Sequence, residues 1–257
     1  MNTSYFAQIA EKIEAFFTQY PNGVLEILGP TASGKTGFSI RIAQHLTKKL
    51  GKPCEIISVD SRQIFKHIDI GSAKITEAEK QGIPHHGLDL KNPDKTCNAA
   101  EFQQYAFQTI EAIQNRQALP ILCGGTMLWL DAISENYDFG EKGTKSTKKN
   151  PPKFPVLKIG IHWHRATLYE RLNQRAQHMF ENGLIEETKF LQKKFPNMSQ
   201  NAFTSIGNEE VIDYLNGKIS YEEALATNQQ KNRKYAKRQL TWWRGRDDVF
   251  WIEGEKL

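Results

Sequence analysis

Apolar and polar residues follow one another along this chain in blocks that predict alternating strands and helices. Short runs dominated by apolar residues predict buried strands; they cover Val24–Leu28, Glu55–Val59, Leu119–Cys123, Val156–Ile161 and Val249–Ile252. Longer stretches with apolar residues three or four positions apart predict amphipathic helices; they cover Lys35–Leu50, Ala99–Gln117, Thr126–Ser134, Arg165–Asn182 and roughly Tyr221–Arg244. Strands separated by helices pair in parallel through crossover connections, so the pattern predicts a three-layer α/β fold with a mainly parallel sheet.

Two segments differ from this alternation. Residues 3–19 place their apolar side chains on one helical face, which predicts a helix packed on the domain. That face consists of Phe6, Ile9, Ile13, Phe16 and Phe17. Residues 140–155 are polar, rich in lysine and interrupted by prolines, which predicts a flexible connector without a core of its own. We therefore expect residues 1–257 to form a single α/β domain that contains this linker.

The composition is that of a globular protein with a proper core. Of the 257 residues, 39% are hydrophobic and 25% are charged, which is ordinary for such a domain. No apolar run approaches the ~18 residues of a membrane span, and the first residues lack a secretory signal. Cys54, Cys97 and Cys123 have no metal-like spacing. We therefore expect reduced thiols in a cytoplasmic, monomeric protein that does not enter a membrane.

The first predicted strand runs into a phosphate-binding loop. Residues Gly29-Pro30-Thr31-Ala32-Ser33-Gly34-Lys35-Thr36 fit the pattern G-x-x-x-x-G-K-[ST]. In such a loop the backbone N–H groups surround a di- or triphosphate, the lysine adds a cation and the threonine hydroxyl holds Mg²⁺. A strand precedes the loop and a helix follows it, as the motif requires. The fold is therefore expected to resemble that of the P-loop NTPases, here with a basic helical C-terminal region.

The second and third strands also end in polar residues. Asp60-Ser61-Arg62-Gln63 follows the second strand, where a carboxylate can hold Mg²⁺, act as a general base or only cap the next turn. Lys74, a little further on, can reach a phosphate or remain solvated. The third strand runs into Gly124-Gly125-Thr126 and carries no acid where a hydrolysing ATPase holds its second magnesium ligand. This favours group transfer from a phosphorylated donor over an ATP motor.

Two helices carry cations suited to phosphate. Arg171 and Arg175 are spaced to share one helical face, where they can hold a leaving pyrophosphate or form a solvated, salt-bridged surface. The last helix carries cations without an acid from Gln229 to Arg246, interleaved with Tyr235, Trp242 and Trp243. This pattern favours RNA; the alternative is a basic solvated face with tryptophans in the core.

Together these residues resemble the tRNA dimethylallyltransferases, also called tRNA isopentenyltransferases. The resemblance extends from residue 24 to residue 252, and the motifs occur in the family's order. They are GPTASGKT at 29–36, VDSRQ at 59–63, DIGSAK at 69–74, PH at 84–85, GGTMLW at 124–129, LYERLNQR at 168–175 and AKRQLTWWR at 236–244. Many nucleotide enzymes share the phosphate loop alone, whereas the combination is specific to the family.

The resemblance implies an activity and roles for individual residues. The family transfers a dimethylallyl group from dimethylallyl diphosphate to the exocyclic amine of an adenosine beside a tRNA anticodon. Asp60 would accept the amine proton and Thr126 would orient or help to activate the amine. Lys35 and Arg175, with loop residues 29–36, would hold the diphosphate, and Mg²⁺ at Thr36 would assist its departure. RNA contacts are implied for Asp60, Ser61, Arg62, Gln63, Lys237, Arg238, Gln239, Trp242 and Arg244.

The chain departs from the family pattern at two places. Members usually carry an inserted helical domain that grips the anticodon stem-loop, whereas only the Lys-rich linker 140–155 stands there. The usual Gly-Tyr-Lys/Arg block is replaced by Ile206-Gly207-Asn208-Glu209-Glu210, which exchanges a cation for an acid. Three alternatives to tRNA modification therefore remain open: prenylation of a free adenine nucleotide, a small-molecule P-loop kinase and a non-catalytic RNA-binding protein.

Overall fold

The computed structural model describes residues 3–140, 145–199, 202 and 207–257. The strands, in chain order, are β1 Val24–Leu28, β2 Cys54–Val59, β3 His85–His86, β4 Leu119–Gly124, β5 Tyr137–Phe139, β6 Lys145–Lys149, β7 Val156–His162 and β8 Val249–Glu253. The helices are α1 Thr3–Gln19, α2 Lys35–Leu50, α3 Glu77–Lys80, α4 Ala99–Asn115, α5 Met127–Ser134, α6 Arg165–Glu181, α7 Leu184–Lys194, α8 Asn208–Leu215 and α9 Tyr221–Trp243. A 3₁₀ turn, Gly254–Lys256, follows β8.

The main sheet brings the ends of its central strands together. Its order is β3-β2-β4-β1-β7-β8, and every neighbouring pair is parallel. Leu28 at the end of β1 is in register with Gly124 on one side and Gly160 on the other. Ligands bind outside the carboxyl ends of the strands in such sheets, so this edge is where a site is expected.

Helices cover both faces of the sheet, which confirms the predicted three-layer α/β fold. On one face α1 and α2 pack on Leu25 and Ile27 of β1. On the other face α4 and α5 pack on Val24 and Leu28 of the same strand. Burial on both faces explains why the strands read as nearly continuous apolar runs.

The predicted strands and helices end within two residues of the observed ones. Short or nonlocal elements were missed: α3, β3, α7, α8 and the antiparallel ribbon of β5 and β6. The ribbon occupies part of the predicted connector 140–155, of which residues 141–144 lie outside the described residues. Tyr137 explains the pairing, because its buried ring anchors β5 while its backbone pairs with Lys149.

Within the described part of the chain, every helix is too short or too polar to cross a lipid bilayer.

Candidate functional site

The phosphate-binding loop connects β1 to α2 and has the backbone shape that its glycines permit. Gly34 has a φ of 89° and lies at the N-cap of α2, a left-handed conformation that side chains disfavour. A Cβ atom at Gly29 would lie 2.8 Å from the carbonyl oxygen of Ile161 on the neighbouring strand. Both glycines are therefore needed for the loop to turn tightly and present its N–H groups at the positive end of α2.

Lys35 reaches back over this loop. Its Nζ donates to the carbonyl oxygens of Gly29 at 3.0 Å and Pro30 at 2.8 Å. Removal of the ammonium group from water lowers the pKa of Lys35 to about 8, against a smaller opposing effect of Cys123 and Asp60. A bound diphosphate would supply the negative charge that this buried cation lacks.

The two arginines of α6 take different positions around the loop. Arg175 donates from Nη1 to Thr31 Oγ1 at 3.1 Å, and burial lowers the pKa of its guanidinium. Arg171 donates to the carbonyl oxygen of Ala32 at 3.0 Å, and its guanidinium lies 4.3 Å from the Trp163 ring centroid. Arg175 lines the central cavity beside Lys35, while Arg171 braces the loop.

Asp60 follows β2 and Thr126 follows the neighbouring strand β4, and the turn Asp60–Arg62 is hydrogen-bonded to Thr126. Asp60 Oδ1 accepts a hydrogen bond from the Arg62 N–H at 2.8 Å, so the carboxylate does cap its turn. Thr126 Oγ1 accepts from the Ser61 N–H at 2.9 Å and donates to Ser61 Oγ at 3.4 Å. Asp60 lines the phosphate-loop cavity, and Thr126 lies near it because β2 and β4 end side by side. Asp60 can therefore cap its turn and still act as a catalytic base.

Two glutamines for which RNA contacts are predicted join the walls of the site. Gln239 Oε1 accepts from the Thr31 N–H at 2.9 Å, and its Nε2 donates to the carbonyl oxygen of Gly125 at 2.8 Å. A Cβ atom at Gly125 would lie 2.4 Å from that Nε2, so a side chain there would displace the Gln239 amide. Gln63 accepts from Ser58 Oγ at 2.7 Å. With Gln239 only 1% exposed, its position favours holding the loops of β1 and β4 together.

Lys74 neither faces the phosphate loop nor remains solvated. Its Nζ donates to the carbonyl oxygen of Phe65 at 2.8 Å and forms ion pairs with Asp69 at 2.6 Å and Asp89 at 2.7 Å. The lysine therefore locks the segment that follows Asp60.

Glu187 on α7 holds the same segment and was missed in the sequence. Its carboxylate accepts from the N–H groups of Asp69, Ile70 and Gly71 at 2.7–2.9 Å. Glu187 lies 116 residues from Gly71, and no local pattern indicates such a contact.

Two adjoining cavities open around Asp60. The phosphate-loop cavity has a volume of about 680 Å³ and is lined by both cations and apolar side chains. Its lining includes Lys35, Thr36, Ile56, Asp60, Ile75, Cys123, Arg175 and Tyr235. The outer cavity, of about 820 Å³, lies toward α9; its residues include Asp60, Ser61, Arg62, Arg175, Met179, Asn232, Tyr235 and Arg238. Asp60, Arg175 and Tyr235 line both cavities, so the two adjoin at these side chains.

The basic residues of α9 and its end divide into paired and exposed groups. Lys231 pairs with Glu209 at 2.6 Å and Glu210 at 2.5 Å, so one cation partly offsets these two acids. Arg246 pairs with Asp131 at 2.6 Å. The exposed group is Lys234, Lys237, Arg238 and Arg244. A basic face therefore exists, although not every cation contributes to it, and RNA contact by this face stays a prediction.

The two tryptophans also divide. Trp243 is fully buried in the core, whereas Trp242 is 38% exposed and donates from Nε1 to Asp131 at 2.6 Å. Trp242 therefore lies at the edge of the basic face, while Ile206 of the acidic block lies outside the described residues.

Comparison with known proteins gives consistent matches over most of the chain. A family model described as IPP transferase matches residues 63–150 and 140–246. The tRNA dimethylallyltransferase of Acetivibrio thermocellus is 32% identical, covering 92% of this chain and 93% of that protein. The crystal structure of the full-length tRNA isopentenylpyrophosphate transferase from Bacillus halodurans matches with a TM-score of 0.80 and 32% identity, covering 91% of this chain and 90% of that one.

A second crystal structure, of tRNA delta(2)-isopentenylpyrophosphate transferase from Staphylococcus epidermidis, matches with a TM-score of 0.79 and 31% identity over 91% of this chain and 94% of that one. The alignment with the Acetivibrio protein spans 297 residues, whereas 92% of this 257-residue chain is about 236 residues. Within the aligned span, that relative therefore has about 61 residues that have no counterpart in this chain.

Proposed function

Because this chain belongs to the IPP transferase family, we propose that it transfers a dimethylallyl group from dimethylallyl diphosphate to the exocyclic amine of an adenosine beside a tRNA anticodon. The observation that carries the proposal is the junction of the two cavities at Asp60. One cavity offers phosphate-binding groups and an apolar interior, and the other opens toward the basic face of α9. A base between them is placed to act on an amine entering from the outer side.

The phosphate-loop cavity suits the donor. Lys35, Arg175 and the loop N–H groups surround the position of the diphosphate, while Ile56, Ile75 and Cys123 offer an apolar surface to the five-carbon chain. As the bond between the allylic carbon and the diphosphate oxygen breaks, negative charge grows on the diphosphate. Fixed cations and N–H groups stabilise that charge more in the transition state than in the bound donor.

The amine and its proton are handled by the residues around Asp60. The amine nitrogen forms the new bond to the allylic carbon, and Asp60 accepts the proton that the nitrogen releases. Thr126 holds the turn of Asp60 through Ser61 and helps to orient the amine. The diphosphate leaves with the electron pair of the broken bond, so the reaction consumes no nucleoside triphosphate.

The residues present fit a magnesium ion carried by the diphosphate. Mg²⁺ is commonly held by one or two protein oxygens together with substrate phosphates and water, and the cavity contains the Thr36 hydroxyl and the Asp60 carboxylate. The described residues contain no cluster of three or more metal-binding side chains, which suits an ion shared with substrate. Thr36 would hold the ion, which would screen the departing diphosphate.

The acceptor would enter through the outer cavity. Arg238 lines this cavity, and exposed Lys237 on α9 and Arg244 just after it add cations that complement RNA phosphates. The family model matches in two parts that overlap at residues 140–150, which supports placing the missing insert there. Cys54, Cys97 and Cys123 are free and buried, which favours a reducing compartment such as the cytoplasm.

Labelled dimethylallyl diphosphate offered with either unmodified tRNA or AMP tests the proposal. We expect label in tRNA and none in AMP. Label in AMP alone would establish a free nucleotide as the acceptor. Phosphate transfer from ATP to a small molecule, with the prenyl donor ignored, would establish a kinase. RNA binding without turnover of any donor would indicate a non-catalytic protein.

Asp60→Asn tests the base. The amide cannot accept the amine proton, so transfer should fall by about 10³-fold, within the range of general-base effects. Diphosphate binding, measured by titration, should change little because the loop, Lys35 and Arg175 are intact. A variant as active as the parent would contradict the assignment of Asp60.

A further inference from the structure

Tyr235 of α9 lies where the phosphate-loop cavity meets the outer cavity, and the family motifs do not include it. Its side chain lines both cavities together with Asp60 and Arg175. The Arg238 guanidinium lies 5.5 Å from the centre of its ring. An aromatic ring at this junction separates the two spaces and presents a flat, apolar surface to whatever enters the outer one.

The hydroxyl group of Tyr235 is oriented by a backbone acceptor. It donates to the carbonyl oxygen of Gly125 at 3.3 Å, and this commits its only hydrogen. Burial raises the pKa of Tyr235 to about 12, with the Asp60 carboxylate adding to the effect. The phenol therefore stays neutral near pH 7, and its oxygen keeps lone pairs that can accept a hydrogen bond.

An exocyclic amine brings two hydrogens into this site. Asp60 takes one of them as the base. The other needs an acceptor, because a buried N–H without a partner costs free energy. The Thr126 oxygen already accepts from the Ser61 N–H, and the Thr126 hydroxyl also bonds the Tyr235 side chain. This contact holds the Tyr235 oxygen beside Thr126, and a further lone pair of that oxygen can accept the second N–H.

We infer that Tyr235 binds the acceptor adenosine: its oxygen accepts the second N–H of the exocyclic amine, and its ring forms the wall between donor and acceptor. This inference rests on the proposed function. Tyr235 thereby orients the nitrogen lone pair toward the allylic carbon and helps to select an acceptor with an unsubstituted amine.

Tyr235→Phe removes only the hydroxyl and retains the ring. With unmodified tRNA we expect kcat/KM to fall about five- to tenfold, as for loss of one buried hydrogen bond, while KM for dimethylallyl diphosphate stays unchanged. The second substrate is the same RNA with N6-methyladenosine at the target position, which has one N–H. The parent should have a much lower kcat/KM for this methylated RNA than for the unmodified RNA. In Tyr235→Phe the ratio of the two kcat/KM values should be smaller by about the same five- to tenfold factor.

Tyr221→Phe is the matched control, since Tyr221 lies on the same helix about 21 Å away; it should leave both substrates unaffected. Unchanged kcat/KM in Tyr235→Phe, or equal discrimination against the methylated RNA in parent and variant, would overturn the inference. A parent protein that modifies no RNA would overturn the proposed function and this inference with it. A higher KM for dimethylallyl diphosphate in the variant would also count against the inference, because it would reveal a general disturbance of the site.

Discussion

The cations at the phosphate loop and the cations on α9 have different surroundings. Lys35 and Arg175 are partly buried, each is bonded to oxygen atoms of the loop, and loss of hydration lowers the pKa of both. Lys237 and Arg238 are exposed, and the described structure gives neither of them an ion pair. The positive charge is thus desolvated in one region and exposed to water in the other.

This difference separates two uses of positive charge. A desolvated cation acts strongly over a short distance and is screened little by salt, so it can stabilise charge that develops during the reaction. An exposed cation gains mainly by releasing counterions from a polyanion, so its effect depends steeply on salt. The phosphate loop is expected to govern the rate of transfer, and α9 the capture of RNA.

Lys35→Met gives the largest expected effect. The variant keeps a side chain of similar length but loses the cation beside the leaving diphosphate, so kcat should fall by about 10²–10³-fold. The loss should be nearly the same at low and high salt. Single-turnover assays at two salt concentrations measure both quantities.

Lys48→Met is the matched control, since Lys48 is exposed in the last turn of the same helix. It should transfer at the parent rate. If the fall in kcat of Lys35→Met depended strongly on salt, the proposed difference between the two groups of cations would be contradicted.

A double substitution of Lys237 and Arg238 by Ala tests the other side of the comparison. RNA affinity at low salt should fall about tenfold, and the slope of log affinity against log salt should flatten by about 1.4–1.8, as for two lost phosphate contacts. The rate with saturating RNA should change far less. Filter binding over a salt series measures the slope.

Lys48→Ala combined with Lys49→Ala removes the same charge from the far end of α2 and serves as the control. An unchanged slope in the α9 variant would mean that this face of the helix does not meet phosphate.

Local patterns determined how well each region could be predicted. The phosphate loop, α2 and β1 follow from neighbouring residues, so the sequence predicted their positions to the residue. Gln239 and Tyr235 act through partners 208 and 110 residues away. The helical pattern places them on α9 but does not indicate which side meets the loops of β1 and β4.

The RNA-facing region was harder for a related reason. The sequence shows a run of cations on α9, but only the fold reveals that Lys231 faces Glu209 and Glu210 of α8. The negative charge of that block is therefore partly offset by a cation from another helix. Composition alone overestimates the free positive charge of this surface.

The pH dependence of donor binding gives the smallest expected effect and tests the buried cation directly. Free Lys35 has a pKa of about 8, and the diphosphate binds its ammonium form. As the pH rises through this value, Lys35 of the free protein loses its proton. Binding of the diphosphate then requires Lys35 to be protonated again, which costs free energy. Affinity for dimethylallyl diphosphate should therefore fall about fivefold from pH 8 to pH 9, as calorimetry can measure. In Lys35→Arg the guanidinium stays charged, so its affinity should be flat over this interval; a fall like that of the parent would assign the titration to another group.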